Sequence, residues 1–307
     1  PYLAGIGAAC IFGFSFLMTK NALEQIEVFH LIALRFQFAA LLMTVLTALK
    51  IIKISIKPKD LPPLILIALA QPVCYFIFET FGIKYTSSSE AGLLIALIPI
   101  AATILSALIL KEYTTIKQLF FILLSISGIA IIILAQSSGN NEGSLMGYLL
   151  LIGAVFSAGF YTILSRKSST RYNPIEITFV MMWTGAIIFT ILASIQLEGL
   201  EAIGKFYEPV SSANILFAIL YLGGFSSVLA FFFINFALSK LPATQTTVLA
   251  NLTTLIAVFA GVVFRNEPFY WFHLLGTIFI LTGVWGTNVF VGKRRTLINP
   301  ETKVMKA

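Results

Sequence analysis

The sequence predicts an all-α membrane protein of ten transmembrane helices, arranged as two inverted five-helix repeats. Three observations predict it: successive apolar runs of about twenty residues, basic residues gathered in alternate loops, and a second half that repeats the spacing of the first. Of the 307 residues, 58% are hydrophobic and 11% charged, whereas a soluble domain carries about 25% charge. A run of about 18 or more apolar residues is long enough to cross the ~30 Å hydrocarbon core. Membrane spans, not a large soluble core, account for the apolar content.

The runs fall at about 2–22, 30–50, 61–84, 88–110, 117–135, 145–166, 174–197, 212–239, 244–265 and 270–291, here spans 1 to 10. The longest break, 198–211, leaves no soluble domain between them. Span 1 is too long for a cleavable signal and lacks a basic lead-in, so it is expected to stay in the chain. Cys10 and Cys74 lie within apolar stretches and read as small core residues, not as a disulfide or metal site.

Orientation follows from the loop cations. With the N-terminus in the cytoplasm, fifteen of the 20 Lys and Arg fall inside, at 50–59, 111–117, 166–171, 240 and 293–306. Four fall outside (Lys20, Lys84, Lys205 and Arg265), and Arg35 is left within span 2. This bias predicts a multi-pass protein of the cell (inner) membrane with both termini cytoplasmic. It also explains the net charge of +7 without nucleic acid, because the cations are scattered over several loops.

The halves correspond in detail. Offset by 146 residues, Gly7-Ala8 meets Gly153-Ala154, and Gly13-Phe14 meets Gly159-Phe160. Offset by 155, Phe81 meets Phe236, Glu112 meets Glu267, and Gly128 meets Gly283. Residues 1–137 thus read as one five-helix unit, 145–292 as a second, and 293–307 as a basic cytoplasmic tail. Five spans is an odd number, so the second unit inserts upside down, the pattern of alternating-access carriers with a midplane binding site.

Helix-breaking residues also pair. Span 3 is interrupted at Gln71-Pro72 and span 8 at Gly223–Ser227. Span 4 carries Ile98-Pro99, and span 9 carries Asn251, Thr253 and Thr254 at mid-length. Proline removes a donor and frees a carbonyl, which lipid tolerates only beside protein or a wet cavity. Ordinary helix bending explains a single break; paired breaks predict a central cavity.

These residues resemble the EamA type of the drug/metabolite transporter superfamily. The matching pieces are Phe12-Gly13-Phe14-Ser15, Arg35-Phe36 with Ala39-Ala40, and Phe81-Gly82-Ile83-Lys84-Tyr85-Thr86-Ser87 running into Ala91 and Leu93. Pro99, Leu110-Lys111-Glu112 and Gly128 follow, and Phe236-Ala237-Leu238, Glu267-Pro268, Gly276 and Gly283 repeat the theme. Phe12 stands where the family pattern leads us to expect Trp, Thr254 where the first half has Pro99, and Phe121 where the second has Gly276. The resemblance implies a secondary carrier for export or uptake of amino acids, amines or drug-like metabolites, usually without ATP, with export the expected direction. Its expected partners are a small-molecule substrate, a coupling proton or cation, and the bilayer, as monomer or homodimer, without cofactor or metal.

Glu79 is the most informative candidate, because a carboxylate in mid-span costs roughly 2.5–3.5 kcal/mol on insertion scales. Gln71, Tyr75, Glu79 and Gly82 recur at helical spacing and form one polar stripe. The stripe suits a substrate cation or a proton; alternatively, Glu79 pairs with Lys84 near the span end. Ser227, Phe231 and Asn235 repeat the spacing in span 8, and Ser157, Tyr161 and Ser165 in span 6. With Phe12, Ser15 and Phe16 of span 1, Asn251 and Trp183, they form the expected aromatic, polar substrate site. Arg35 reads as structural, snorkelling or paired with a glutamate. Glu112 and Glu267 read as caps at the helix starts of spans 5 and 10, and His30, His273 and Trp271 as interfacial.

Other classes fit less well. A membrane serine protease needs a helical His, and both histidines sit at span ends; an aspartyl type needs two helical Asp, and Asp60 is alone in a loop. No HExxH, Walker A or Rossmann glycine pattern occurs, so no catalytic residue is expected. A channel or lipid-moving protein is the remaining alternative.

Overall fold

The computed structural model describes residues 1–110, 115–137, 144–169, 171–196, 206–241 and 243–290. Thirteen α-helices are described: α1 (Tyr2–Ala22), α2 (Val28–Ala48), α3 (Leu61–Ala68), α4 (Tyr75–Lys84), α5 (Ser88–Ile95), α6 (Ile98–Leu110), α7 (Ile116–Ser137), α8 (Leu145–Ser168), α9 (Pro174–Gln196), α10 (Ala213–Ile219), α11 (Ala230–Lys240), α12 (Ala243–Arg265) and α13 (Trp271–Val289). Wider π turns, Leu69–Cys74 and Leu220–Leu229, join α3 to α4 and α10 to α11. Among the described residues there is no strand. Eight helical segments are long and apolar enough to cross a membrane, and Leu252–Arg265 and Trp271–Thr287 are shorter apolar helices. The chain is an all-α, multi-pass membrane protein.

Helices pack in reciprocal pairs. α1 lies against α12 and α11, while α8 lies against α5, α6 and α4; α2 pairs with α9, and α7 with α13. Glycine contacts repeat this reciprocity at residue level. A Cβ on Gly7 would meet the Phe233 ring at 3.2 Å, and one on Gly153 would meet Phe78 at 3.1 Å. Gly153 follows Gly7 by 146 residues and Phe233 follows Phe78 by 155, the two offsets read from the sequence.

Three of the four expected interruptions are present. Gln71 is extended (φ −147°, ψ 117°) within its π turn, and the Ala70 carbonyl accepts from Ser157 Oγ at 2.7 Å. α5 and α6 part at Ala96-Leu97, just before Pro99. In span 9 the expectation fails, because α12 runs unbroken from Ala243 to Arg265. There Thr254 donates to the Gly92 carbonyl at 2.9 Å, so the threonine serves the neighbouring interrupted helix instead of bending its own.

Side chains at the helix ends depart from the sequence reading in several places. His30 and His273, in the first turns of their helices, are packed within the protein at 6% and 4% exposure; His30 Nε2 lies 2.5 Å from the Phe206 carbonyl. Cys74 is exposed instead of core. Lys84 pairs with Glu27 at 2.8 Å and not with Glu79. Glu267 does cap a helix, but the helix is α5, from the other half of the chain, and not α13. Glu112 lies outside the described residues.

Candidate functional site

A cavity of about 120 Å³ lies between the halves near mid-length of the helices, with room for several waters or one small organic solute. α1, α2, α4, α5, α6, α8, α11 and α12 contribute to its wall, together with the π turn before α4; α7 and α13 stand outside it. Of the predicted site residues, Phe12, Ser15, Phe16, Gln71, Tyr75, Glu79 and Tyr161 line it. The helix interruption re-aims the predicted stripe without losing it: Gln71 sits on extended backbone, Tyr75 and Glu79 on α4. Gly82, the fourth member, instead lets α8 approach, since a Cβ there would lie 2.6 Å from Leu151.

Three predicted residues stand elsewhere. Trp183 is 40% exposed and donates from Nε1 to Thr44 Oγ1 at 3.2 Å, facing away from the cavity on α9. Asn235 lies behind the wall, where its Oδ1 accepts from Tyr161 OH at 2.8 Å and Ser165 Oγ at 2.9 Å. Its Nδ2 donates to Thr178 Oγ1 at 3.1 Å, so the buried amide is satisfied and holds the cavity tyrosine in place. Asn251 belongs to the α12 backbone, and its side chain lies outside the described residues.

Arg35, which the sequence reading leaves outside the site, also stands in the cavity wall. It is 3% exposed, lines the cavity, and donates from Nε to Ser227 and from Nη2 to Ser226, each at 2.8 Å. Gly223 makes this possible. A Cβ there would lie 2.8 Å from the Arg35 carbonyl, so only a glycine lets the α10–α11 π turn press against α2 at this level. Phe76 closes the other side, with its ring centroid 4.2 Å from Arg35 Cζ, a distance at which a cation is attracted to the ring face. Arg35 is therefore held inward by three contacts and does not snorkel.

Glu79 is equally buried, at 3% exposure, and accepts from Thr80 Oγ1 at 3.2 Å. Among the described residues, no ion pair within 4.0 Å joins it to Arg35. The cavity wall thus carries a guanidinium and a carboxyl group with no ion pair between them among the described residues. Around them the wall is aromatic and aliphatic, and Phe12 and Phe231 meet edge to face at 5.4 Å between centroids.

The model of the EamA-like transporter family matches residues 1–134 and 145–289. The chain belongs to this family. A relative from Bacillus subtilis (strain 168), "Uncharacterized transporter YcxC", is 34% identical over 293 residues, 95% of this chain and 94% of its own. The "Probable terminal-alkyne amino-acid exporter" of Streptantibioticus cattleyicolor is 25% identical over 245 residues, 80% of this chain and 79% of its own. A crystal structure with 16% identity superposes at a TM-score of 0.67 over 95% of this chain and 98% of its own, which speaks for the fold. The EamA-like transporter described here accordingly has relatives named as transporters that match it along nearly their whole length.

Proposed function

We propose that this EamA-like protein is a secondary carrier that exports a small organic metabolite across the inner membrane by alternating access. Its ten spans form two inverted units, 1–137 and 145–292, with both termini and the 293–307 tail in the cytoplasm. The observation that carries this reading is the charged, aromatic cavity walled by both halves at mid-helix, the position of substrate in inverted-repeat carriers. The reciprocal helix pairs and matched glycine contacts support the two-unit architecture. Fifteen loop cations against four support the orientation. The direction of transport draws on the exporter name of one relative.

At one end, Lys20 donates to the Ile83, Lys84 and Thr86 carbonyls, Arg265 pairs with Glu24 at 2.7 Å, and Glu267 binds Ser88 and Ser89. By the proposed orientation this is the outer end, and these bonds form a latch that must part when the cavity opens outward. The test is counterflow in proteoliposomes with amino acids, amines and nucleosides, after a thermal-shift screen for ligands that stabilise the folded protein. Exchange that is saturable and blocked by Tyr75→Trp is expected. Exchange indifferent to that block, or none across the panel, overturns the reading.

A further inference from the structure

We infer that Arg166 is the gate for the end of the cavity that stands open in this structure, and that in the opposite state its guanidinium closes on the carbonyls of Leu238, Ser239 and Leu241. The inference rests on the proposed carrier with its two units, and names the second of its two gates. Its basis is that the cavity obeys the two repeat offsets at its centre and departs from them toward its ends.

Wall residues come as partners across the halves. The 146 offset relates Phe16 to Thr162, and the 155 offset relates Glu79 to Ile234 and Ile98 to Thr253; all of these line the cavity. A cavity built in this way lies on the axis relating the proposed units, so a difference between its ends reports which way the molecule faces. Away from the centre, partners differ in one sense. Phe16 and Glu79 are buried, while Thr162 and Ile234 are only partly buried. Leu238 belongs to the wall, whereas its counterpart Ile83 is fully buried and lies outside it. The cavity therefore reaches about one turn further toward the C-termini of α8 and α11 than toward those of α1 and α4.

Lys20 closes the α1–α4 end. Its ammonium donates to the carbonyls of Ile83 at 2.9 Å, Lys84 at 3.3 Å and Thr86, at and just beyond the end of α4, where carbonyls have no partner within the helix. The 146 offset turns Lys20 into Arg166, and the 155 offset turns the three acceptors into Leu238, Ser239 and Leu241, at the end of α11. There the bonds are not made. Arg166 is exposed, and among the described residues its side chain forms no ion pair. Its neighbour Ser165 bonds Asn235 of α11 at 2.9 Å, so the two helices already meet one turn from Leu238. A guanidinium has five donors in a planar fork, enough for three carbonyls, and a cation at a helix C-terminus is favoured by the helix dipole. When Lys20 releases α4, closure at Arg166 offsets the charged bonds that are lost, which keeps the two states close in free energy.

The experiment labels single cysteines at Leu238 and Ile83 with an impermeant thiol reagent, on membrane vesicles of both orientations, in a background without Cys10 and Cys74. Leu238→Cys should react from the face that carries Lys57, about 10-fold or more faster than Ile83→Cys from the opposite face. Lys20→Ala removes the bonds of the closed end. It should shift the equilibrium about 10- to 100-fold, the value of charged hydrogen bonds, slowing Leu238→Cys and speeding Ile83→Cys. Adding Arg166→Ala should reverse that shift, and adding Arg166→Lys, which keeps a cation there, should not. A shift that persists with Arg166→Ala overturns the gate. So does faster reaction of Ile83→Cys than of Leu238→Cys without any change at Lys20. Where Lys20→Ala fails to fold, Arg166→Ala alone decides, since an exposed side chain is dispensable for folding: counterflow should fall about 10- to 100-fold with thermal unfolding unchanged. Unchanged counterflow then overturns the gate and leaves the carrier standing. Absence of exchange in the unaltered protein is the separate failure of the carrier reading, and the labelling pattern still decides the gate.

Discussion

Ser88 and Glu267, 179 residues apart in the chain, make two hydrogen bonds: the Ser88 N–H and hydroxyl both donate to Glu267 Oε1, at 2.9 and 2.7 Å. Ser89 repeats the arrangement on Oε2, at 2.9 and 2.5 Å. The first N–H groups of a helix have no partner within it, and here a carboxylate from the second half supplies one. Both ends of the contact are buried, so water cannot replace it.

Glu267→Ala should therefore destabilise the purified protein by about 1–3 kcal/mol, the cost of leaving buried donors unsatisfied. Thermal unfolding in detergent measures it. Glu267→Gln, which keeps one acceptor oxygen, should lose less. If both variants melt with the unaltered protein, the contact contributes nothing to stability.

Orientation is tested by cysteines at Gln25 and Lys57, both exposed, in a background without Cys10 and Cys74. In intact cells an impermeant thiol reagent should label position 25, and position 57 only after lysis. The opposite pattern would invert the proposed topology and move the Glu267 latch to the cytoplasmic end.

Cavity occupancy is tested by Tyr75→Trp against a bulky change on a peripheral helix. Ile132 on α7 looks suitable from sequence, since α7 stays clear of the cavity, but its side chain is fully buried against α13. Leu123, 57% exposed on the same helix, is the better control. Transport should be lost in Tyr75→Trp and retained in Leu123→Trp, with similar expression of both. Equal loss would place the substrate path elsewhere.

The α7–α13 pair depends on close approach. A Cβ on Gly276 would lie 2.6 Å from Ile132 Cγ1 and 2.9 Å from the Gly128 carbonyl. Gly276→Leu should cost about 1–3 kcal/mol or more, the range for overpacked cores, because backbone cannot move aside as a side-chain tip can. A variant that melts unchanged would show that the two helices separate at little cost.

What the sequence makes legible follows from the solvent. Lipid requires long apolar runs, so the spans and the polar stripe Gln71–Tyr75–Glu79 can be read from one strand of text. Contacts between distant segments cannot. Arg35 looks like a snorkelling residue because Ser226 and Ser227, which hold it inward, lie 191 and 192 residues away. Gly223 is legible as a break, but not as a place where the π turn presses against the α2 backbone. Trp183 reads as a cavity residue because an aromatic with a polar tip suits a cavity and a lipid-facing helix equally well; its N–H donates to Thr44 instead. Thr254 reads as a break in its own helix, since nothing local reveals that its hydroxyl reaches Gly92.

Asn235 gives the last prediction, because it reaches the cavity only through another residue. Its Oδ1 accepts from Tyr161 OH and Ser165 Oγ, its Nδ2 donates to Thr178, and the residue is 1% exposed, so the four groups form one buried network behind the wall. Asn235→Leu leaves the Tyr161 hydroxyl without its acceptor and should destabilise by about 1–3 kcal/mol. Tyr161→Phe removes the same bond from the other side and keeps the ring against Phe231. Since both changes remove the same Tyr161–Asn235 hydrogen bond, their costs should not add: the double variant should fall short of the sum by about 0.5–3 kcal/mol. A Tyr161 freed from Asn235 should also weaken substrate competition in either single variant, as its position in the wall is then unfixed. Strict additivity in unfolding, with competition unchanged in both variants, would mean that Tyr161 is positioned by packing alone and that Asn235 has no part in the site.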